Sequence, residues 1–308
     1  MNWSEKTVLL TGGNGFLGKS VLQQLQNKKI KKIIVPTSKE ADFRKKDVCQ
    51  EVLQGVDLVI HLAGKGGGIE FMREFPADIF YDNLIMATHL MHEAKHANVE
   101  KFLALGTVCS YPKFSSIPFN EEEIWDGYPE ETNAAYGLSK KMMMVQSDAY
   151  RQQFGFNSIN IIPTNLYGPN DDFNPKTSHV IPGIIMKIQK AKNEGKKEIT
   201  LWGDGTPTRD FLYVDDAAKG IILAMEEYNE SIPVNLGSMS EISIIDLAKK
   251  ISEIMEFDGK IIWDASKPNG QPRRCVGNDN AERKFGFKPE INIDTGLRNT
   301  IEWFNSQQ

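Results

Sequence analysis

A chain of 308 residues, 40% of them hydrophobic, is long enough for one large α/β unit or two closely joined domains. Its 36 basic and 41 acidic residues give a formal net charge of -5 and are spread along the chain, so no basic face for a nucleic acid is implied. Cys49, Cys109 and Cys275 are too few and too widely spaced for a disulfide framework, and no apolar run approaches the ~18 residues of a membrane span, so a cytoplasmic protein with no membrane partner is expected.

Residues 6–10 read as a short buried strand that runs straight into Thr11-Gly12-Gly13-Asn14-Gly15-Phe16-Leu17-Gly18, after which Val21, Leu22 and Leu25 recur at helical spacing. Strand, glycine turn and helix together form the geometry in which backbone N–H groups and a helix N-terminus receive a pyrophosphate. A hairpin at Asn14-Gly15 would be followed by an alternating strand, and residues 19–26 do not alternate. A second strand, residues 32–35, should end over the adenosine ribose, where NAD-binding folds usually place an acidic residue. Pro36-Thr37-Ser38-Lys39 stands there instead, an uncharged or basic edge that predicts NADP, although Glu40 and Asp42 lie close by.

Residues 57–64 form a third buried strand with a small-residue exit through Gly66, Gly67 and Gly68 that lets a ligand approach backbone. A long helix over residues 76–97 and a fourth strand over 101–105 follow, and this alternation predicts a parallel, doubly wound sheet. Thr107 and Cys109 then lie just past the carboxyl end of a strand, where such sheets bind ligands. The long helix carries His92-Glu93-Ala94-Lys95-His96, the zinc-hydrolase spacing, with His89 near the same face. It is also needed as the connector between strands three and four, and no further ligand signature follows. No metal is expected.

Tyr136 stands four residues before Lys140, which on a helix puts phenol and ammonium on one face, ready to donate a proton to a carbonyl. The ammonium should draw the phenol down toward working pH, and the Thr107 hydroxyl can bond the same carbonyl oxygen. A strand over residues 158–162 leads into Pro163-Thr164-Asn165-Leu166-Tyr167-Gly168-Pro169, and near Asn165 the alternation loses regularity, marking the start of a substrate-binding part. Ser178-His179-Val180-Ile181-Pro182 reads as a helix start with Ser178 as N-cap. The positive helix end would keep His179 neutral, in a capping, packing or proton-accepting role. Residues 202–210 offer Trp202 and Arg209, a plate for a base and a guanidinium for a phosphate, and residues 267–274 add Arg273 and Arg274.

Together these pieces resemble the extended short-chain dehydrogenase/reductase family that acts on nucleotide sugars, over nearly the whole chain. Cys109-Ser110-Tyr111-Pro112-Lys113, Asn165-Leu166-Tyr167-Gly168-Pro169, Ser178-His179-Val180-Ile181-Pro182 and Lys267-Pro268-Asn269-Gly270 are similar to one branch of it. Members of that branch invert C3 and C5 of GDP-4-keto-6-deoxymannose and reduce C4 with NADPH. The resemblance implies a Rossmann-type NADP-binding domain over residues 1–164, rejoined around 210–236, and a smaller α/β domain over 165–308 that mainly holds the GDP-sugar.

It also implies roles. Thr107, Tyr136 and Lys140 would reduce the ketone, and Cys109 and His179 would move protons at the sugar. Gly12, Gly15, Phe16, Leu17, Gly18, Ser38, Lys39, Leu62, Ala63, Pro163, Asn165 and Leu166 would hold the cofactor, together with Tyr136, Lys140 and His179. Asn165, Lys187, Trp202, Arg209 and Arg274 would hold the substrate, and the helices over 77–97 and 135–154 would make a homodimer. Val108 and Cys109 stand where sugar 4,6-dehydratases carry an Asp-Glu pair, and simple 4-epimerases need neither Cys109 nor His179. Three positions depart from the branch: Lys187 and Arg274 exchange arginine and lysine, and Asn269 replaces an aspartate. A heptose analogue as substrate, or a non-catalytic NADP-binding regulator, are the alternatives.

Overall fold

The computed structural model describes every residue of the chain except Pro268, so that position of the 267–270 segment lies outside the described residues. In chain order the first half comprises β1 (Thr7–Thr11), α1 (Phe16–Gln26), β2 (Lys32–Ile34), α2 (Lys46–Val52), β3 (Leu58–His61), α3 (Ile69–Glu74), α4 (Pro76–His96), β4 (Lys101–Leu105), α5 (Ala134–Phe154) and β5 (Ser158–Pro163). The second half comprises β6 (Asn165–Tyr167), α6 (Val180–Asn193), β7 (Glu198–Trp202), β8 (Thr208–Tyr213), α7 (Val214–Glu227), β9 (Val234–Leu236), β10 (Glu241–Ser243), α8 (Ile244–Ile254), β11 (Lys260–Asp264), β12 (Arg273–Arg274), α9 (Asp279–Phe285) and α10 (Ile293–Ser306).

Among the described residues, six strands form a wholly parallel sheet in the order β2-β1-β3-β4-β5-β9. All five residues of β1 are buried, as a strand covered on both faces requires. Successive side chains point to opposite faces: Val8 and Leu10 enter the core under α1 and α7, and Leu9 enters the one under α2, α4 and α5. From β1 the chain moves to β2 on one side and later returns to β3 on the other. That reversal opens a crevice at the carboxyl ends of the strands.

Past β5 the architecture changes. β8 pairs with β6 and β12 in parallel and with β10 antiparallel, while β7 and β11 pair separately. Helices α6, α8 and α10 cover these strands with a second apolar core that includes Ile184, Ile188, Leu247 and Leu297. β8 then runs directly into α7, which returns the chain to the first core before β9 closes the sheet.

One local expectation changes. Helix α6 is capped by His179 rather than Ser178, and no side chain caps it. The N–H groups of Thr177 and Ser178 both donate to Asn174 O, at 3.2 and 2.9 Å, so Ser178 still belongs to the preceding turn. The short helix α3 after the triple glycine is not foreshadowed by any periodicity in its six residues. Among the described residues, no helix is long and apolar enough to cross a membrane.

Candidate active site

The glycine turn forms because the chain must pass through positions that side chains cannot take. Gly12 has φ +70°, its carbonyl accepts from Gly15 N at 3.0 Å, and a Cβ on Gly18 would stand 2.0 Å from that same oxygen. Helix α1 can therefore start directly over the turn, with Gly15 as its N-cap. In front of it lies a cavity of about 680 Å³ walled by Gly12, Gly15, Phe16, Leu17 and Gly18, and farther along by Ser38, Leu62 and Ala63. Behind the wall, Thr11 Oγ1 lies 2.7 Å from His61 Nδ1 and accepts from Ala63 N at 3.2 Å. Burial pushes His61 down to about 3, so the imidazole there is neutral.

Lys39 does not line this cavity. Glu40 accepts from Thr37 N at 2.8 Å and Ala41 N donates to Thr37 O at 2.9 Å, closing a turn that puts Ser38 on the wall and leaves Lys39 exposed. The cations on the wall are Arg44 and Lys65. Arg44 Nε donates to Asp42 at 2.8 Å and its Nη1 to Asp82 at 3.1 Å, and Lys65 Nζ reaches Asp82 at 2.9 Å. Asp42, the acidic residue close to the ribose edge, is thus already paired.

At the end of β4, Thr107 Oγ1 accepts from Cys109 N at 3.3 Å and opens a single tight turn, Val108–Ser110. Accepting through oxygen keeps the hydroxyl hydrogen as a donor for a carbonyl. Helix α5 lies directly on this turn: a Cβ at Gly137 would stand 2.1 Å from Cys109 O, and Ser110 Oγ donates to Gly137 O at 2.9 Å. Tyr136 and Lys140 are thereby held beside Thr107 and Cys109. The loop of residues 64–68 closes over them: a Cβ at Gly66 would stand 3.7 Å from the Tyr136 ring, and Lys140 Nζ is 3.4 Å from Ala63 O. Asn83 of α4 pins that loop, accepting from Lys65 N at 2.9 Å and donating to Lys65 O at 2.8 Å.

The electrostatics correct one expectation. Burial, then the nearby Cys109, raise the Tyr136 phenol above its ordinary value against the Thr107 hydroxyl, and Lys140 does not draw it down. Burial also draws the Lys140 ammonium down to about 8. Tyr136 therefore holds its proton at neutral pH, the form a proton donor needs.

His179 has the opposite bias from that expected of a helix N-terminus. The Asp171 carboxylate, 3.7 Å from its Nδ1, raises it above the usual histidine value against the effect of burial. The same glycine loop that touches Tyr136 reaches this segment, Gly68 N donating to Thr177 O at 2.8 Å, so His179 stands on the same rim. Pro163 ends β5, Leu166 packs against the first core, and Asn165 spends its amide on Asp210 O at 2.9 Å.

On the opposite side, Arg274 and Arg209 are register partners on β12 and β8. Two guanidinium groups facing each other repel, a cost that an anion between them would remove. Burial, then Arg274, pull Arg209 down to about 10, and Arg274 Nη1 lies 3.7 Å from Cys109 Sγ. Trp202 is half exposed at the end of β7, with Lys267 Nζ 5.5 Å over its ring. Lys187 Nζ donates to Thr200 O at 2.7 Å on the same strand, and Asn269 fixes the adjoining loop by accepting from Asp204 N at 2.9 Å.

The histidines of α4 lie elsewhere. His92 Nδ1 is 2.6 Å from Tyr150 Oη, and Glu93 pairs with Lys46 at 3.4 Å. Among the described residues no group of three His, Cys, Asp or Glu side chains is arranged to hold a metal ion.

Four residues join the site that the sequence did not single out for it. Asp171 and Asn83 sit in an irregular loop and on a helix interior, without a motif to mark them. Arg44 and Asp82 belong to different elements, and their pairing exists only in the fold.

Comparison with known proteins agrees with this geometry. The pattern of the NAD dependent epimerase/dehydratase family matches residues 8–237. A protein from Oryza sativa subsp. japonica described as probable GDP-L-fucose synthase 1 is 38% identical over 302 residues, covering 96% of this chain and 91% of its own length. The GDP-L-fucose synthase of Escherichia coli (strain K12) is 32% identical over 316 residues, covering 99% and 98%. The crystal structure of a GDP-L-fucose synthetase from Naegleria fowleri bound to NADP is 29% identical and has a TM-score of 0.89, over 98% of this chain and 95% of that one.

Proposed function

This chain belongs to the NAD dependent epimerase/dehydratase family, and from that premise we propose that it is an NADPH-dependent 3,5-epimerase/4-reductase converting GDP-4-keto-6-deoxy-D-mannose to GDP-L-fucose. The observation that carries the reading is the meeting, at one strand end, of a ketone-reducing set and a second set able to move protons on carbon. Thr107, Tyr136 and Lys140 form the first; Cys109 on the same turn and His179 on the rim form the second.

In the keto sugar, the hydrogens on C3 and C5 flank the C4 carbonyl and are acidic because their removal leaves an enolate. Inverting either centre needs a base on one face and an acid on the other. Cys109 and His179 supply that pair. Thr107 donates its hydroxyl hydrogen to the C4 oxygen and steadies the enolate. When C4 is finally reduced, Tyr136 gives its proton to the C4 oxygen, and Lys140, one helical turn away, holds positive charge beside it.

NADPH fits the cavity along the glycine turn, whose backbone a Cβ at Gly12 or Gly18 would obstruct, and it supplies the hydride for C4. Arg44 and Ser38 meet its adenosine end, where the paired Asp42 carboxylate leaves room for a 2′-phosphate. Arg209 and Arg274 take the diphosphate of the sugar nucleotide, Lys187 adds a point charge and Trp202 a plate for the guanine. Residues 1–164, with the return through α7 and β9, act as the cofactor domain, and residues 165–308 mainly as the substrate domain.

The protein acts in the cytoplasm as a homodimer through α4 and α5, which pack on each other and expose Phe80, Tyr81, Met142 and Val145. Incubation with NADPH and GDP-4-keto-6-deoxy-D-mannose should bleach the nicotinamide absorbance by one equivalent per sugar. No bleaching would refute the reading in favour of a non-catalytic regulator. Bleaching only with a keto-heptose would move the substrate.

A further inference from the structure

The chemistry above leaves one carboxylate beside the site without work. Asp171 lies in the loop between β6 and α6 with its side chain 2% exposed. Its Oδ1 accepts from Asp172 N at 2.7 Å, and its Oδ2, fully buried, has no hydrogen-bond partner among the described residues. An unpartnered buried carboxylate oxygen costs stability, so its presence needs a reason outside the loop's own folding. The other oxygen, Oδ1, is the one that faces His179, whose Nδ1 lies 3.7 Å away.

We propose that Asp171 is the positioning residue of His179: it engages Nδ1, so that Nε2 is the nitrogen presented to the sugar, and it balances the charge of the ring whenever His179 carries a proton. The inference rests on the epimerase/reductase reading and deepens it. A base whose far nitrogen is held by a third group has one tautomer and one orientation, the general logic of an oriented proton carrier.

The loop is braced for such a task. Asp171 N donates to Gly168 O at 3.3 Å. Asp172 accepts from Asn174 N at 2.9 Å and from the Thr177 hydroxyl, and Thr177 O in turn accepts from Gly68 N at 2.8 Å. Carboxylate and imidazole thus sit at two ends of a cross-tied loop. The ring itself is 55% exposed, and a small rotation closes 3.7 Å to hydrogen-bond length.

The charges that act on the ring are Asp171 and Asp172, both favouring imidazolium, and Gly68, which meets residues 177 and 178 from the other side, brings no charge. With both carboxylates on one side, His179 is biased toward the proton-carrying form. Of the pair that inverts the sugar, it is then the member that delivers a proton, and Cys109 the member that removes one.

Two readouts test this, and the first needs no substrate. In the NMR titration of the His179 ring in the free protein, Asp171→Asn is expected to lower the midpoint, and an unchanged midpoint overturns the proposal. Second, with NADPH and the keto sugar in heavy water, Asp171→Asn should slow deuterium entry at C3 and C5 by about 10- to 100-fold. It should slow reduction of an already inverted keto sugar less, and add nothing in a His179→Gln background. Equal slowing of both steps, or full slowing in that background, also overturns it. If Asp171→Asn does not fold, Asp171→Glu carries the test: the displaced carboxylate should slow deuterium entry, and an unchanged rate refutes the proposal. A wild-type protein that neither exchanges nor reduces would sink the parent reading, while the ring titration would still decide this one.

Discussion

Arg274 brings its Nη1 to 3.7 Å from Cys109 Sγ, although 165 positions separate the two residues in the chain. Its strand neighbour Arg209 doubles the positive charge on that side of the thiol. Removing this guanidinium by Arg274→Met should lower kcat/KM for the keto sugar by ~10- to 100-fold, the worth of a charged hydrogen bond. Arg274→Lys, which keeps the charge but not the fork, should lose less. Steady-state kinetics of both variants decide it; equal losses would show that charge contributes nothing here.

The cofactor cradle tolerates no added side chain at Gly18, where a Cβ would lie 2.0 Å from Gly12 O and 2.6 Å from Gly13 Cα. Gly18→Ala should weaken NADPH binding at least ~10-fold and lower the melting temperature, as overpacking against backbone does. Arg44→Ala should act differently, weakening NADPH about 10-fold while leaving NADH nearly unchanged. Titrations of both cofactors check this, and parallel losses would remove Arg44 from the 2′-phosphate.

Lys140 is drawn to about 8 by burial, so its ammonium is the majority form below that pH and is lost above it. kcat/KM for NADPH, which reports the free protein, should therefore fall about tenfold per unit as pH rises beyond about 8. Lys140→Arg stays charged and should move the alkaline limb upward at a lower plateau. A limb that stays in place would assign it to another group.

Asp210 is wholly buried, with Ser238 N and Oγ on one carboxylate oxygen at 3.0 and 2.5 Å, and burial raises it to about 6. Between its ordinary value near ~3.9 and about 6, the folded chain keeps a proton that the unfolded chain has released. Stability is thus lost as pH rises through that window, by ~3 kcal/mol. Urea unfolding at pH 4 and at pH 7 should show a smaller loss for Asp210→Asn than for wild type; identical losses would contradict the assignment.

What could be read from the sequence follows from how each feature is encoded. Residues 101–105 match β4 because Phe102 to Leu105 form the unbroken apolar run that a strand within a covered sheet requires. Thr107, Cys109, Tyr136 and Lys140 were legible because one strand end and one helical turn bring them together over short spacings. Asp171 against His179 was not, because the contact depends on a braced irregular loop.

Balances between opposing effects were harder still. A helix terminus and a carboxylate compete at His179, and the carboxylate prevails. The Thr107 hydroxyl and desolvation compete at Tyr136, and desolvation prevails. Arg44 cancels the charge of Asp42, which the sequence shows only as an acidic residue near the ribose edge.

The most direct test follows each proton separately. In heavy water with NADPH and GDP-4-keto-6-deoxy-D-mannose, wild type should return a reduced sugar carrying deuterium at both C3 and C5. Cys109→Ser should lose that incorporation by ~10²- to 10⁴-fold, and Tyr136→Phe should keep incorporating deuterium into unreduced sugar. A product reduced at C4 with no solvent deuterium at either carbon would contradict the account.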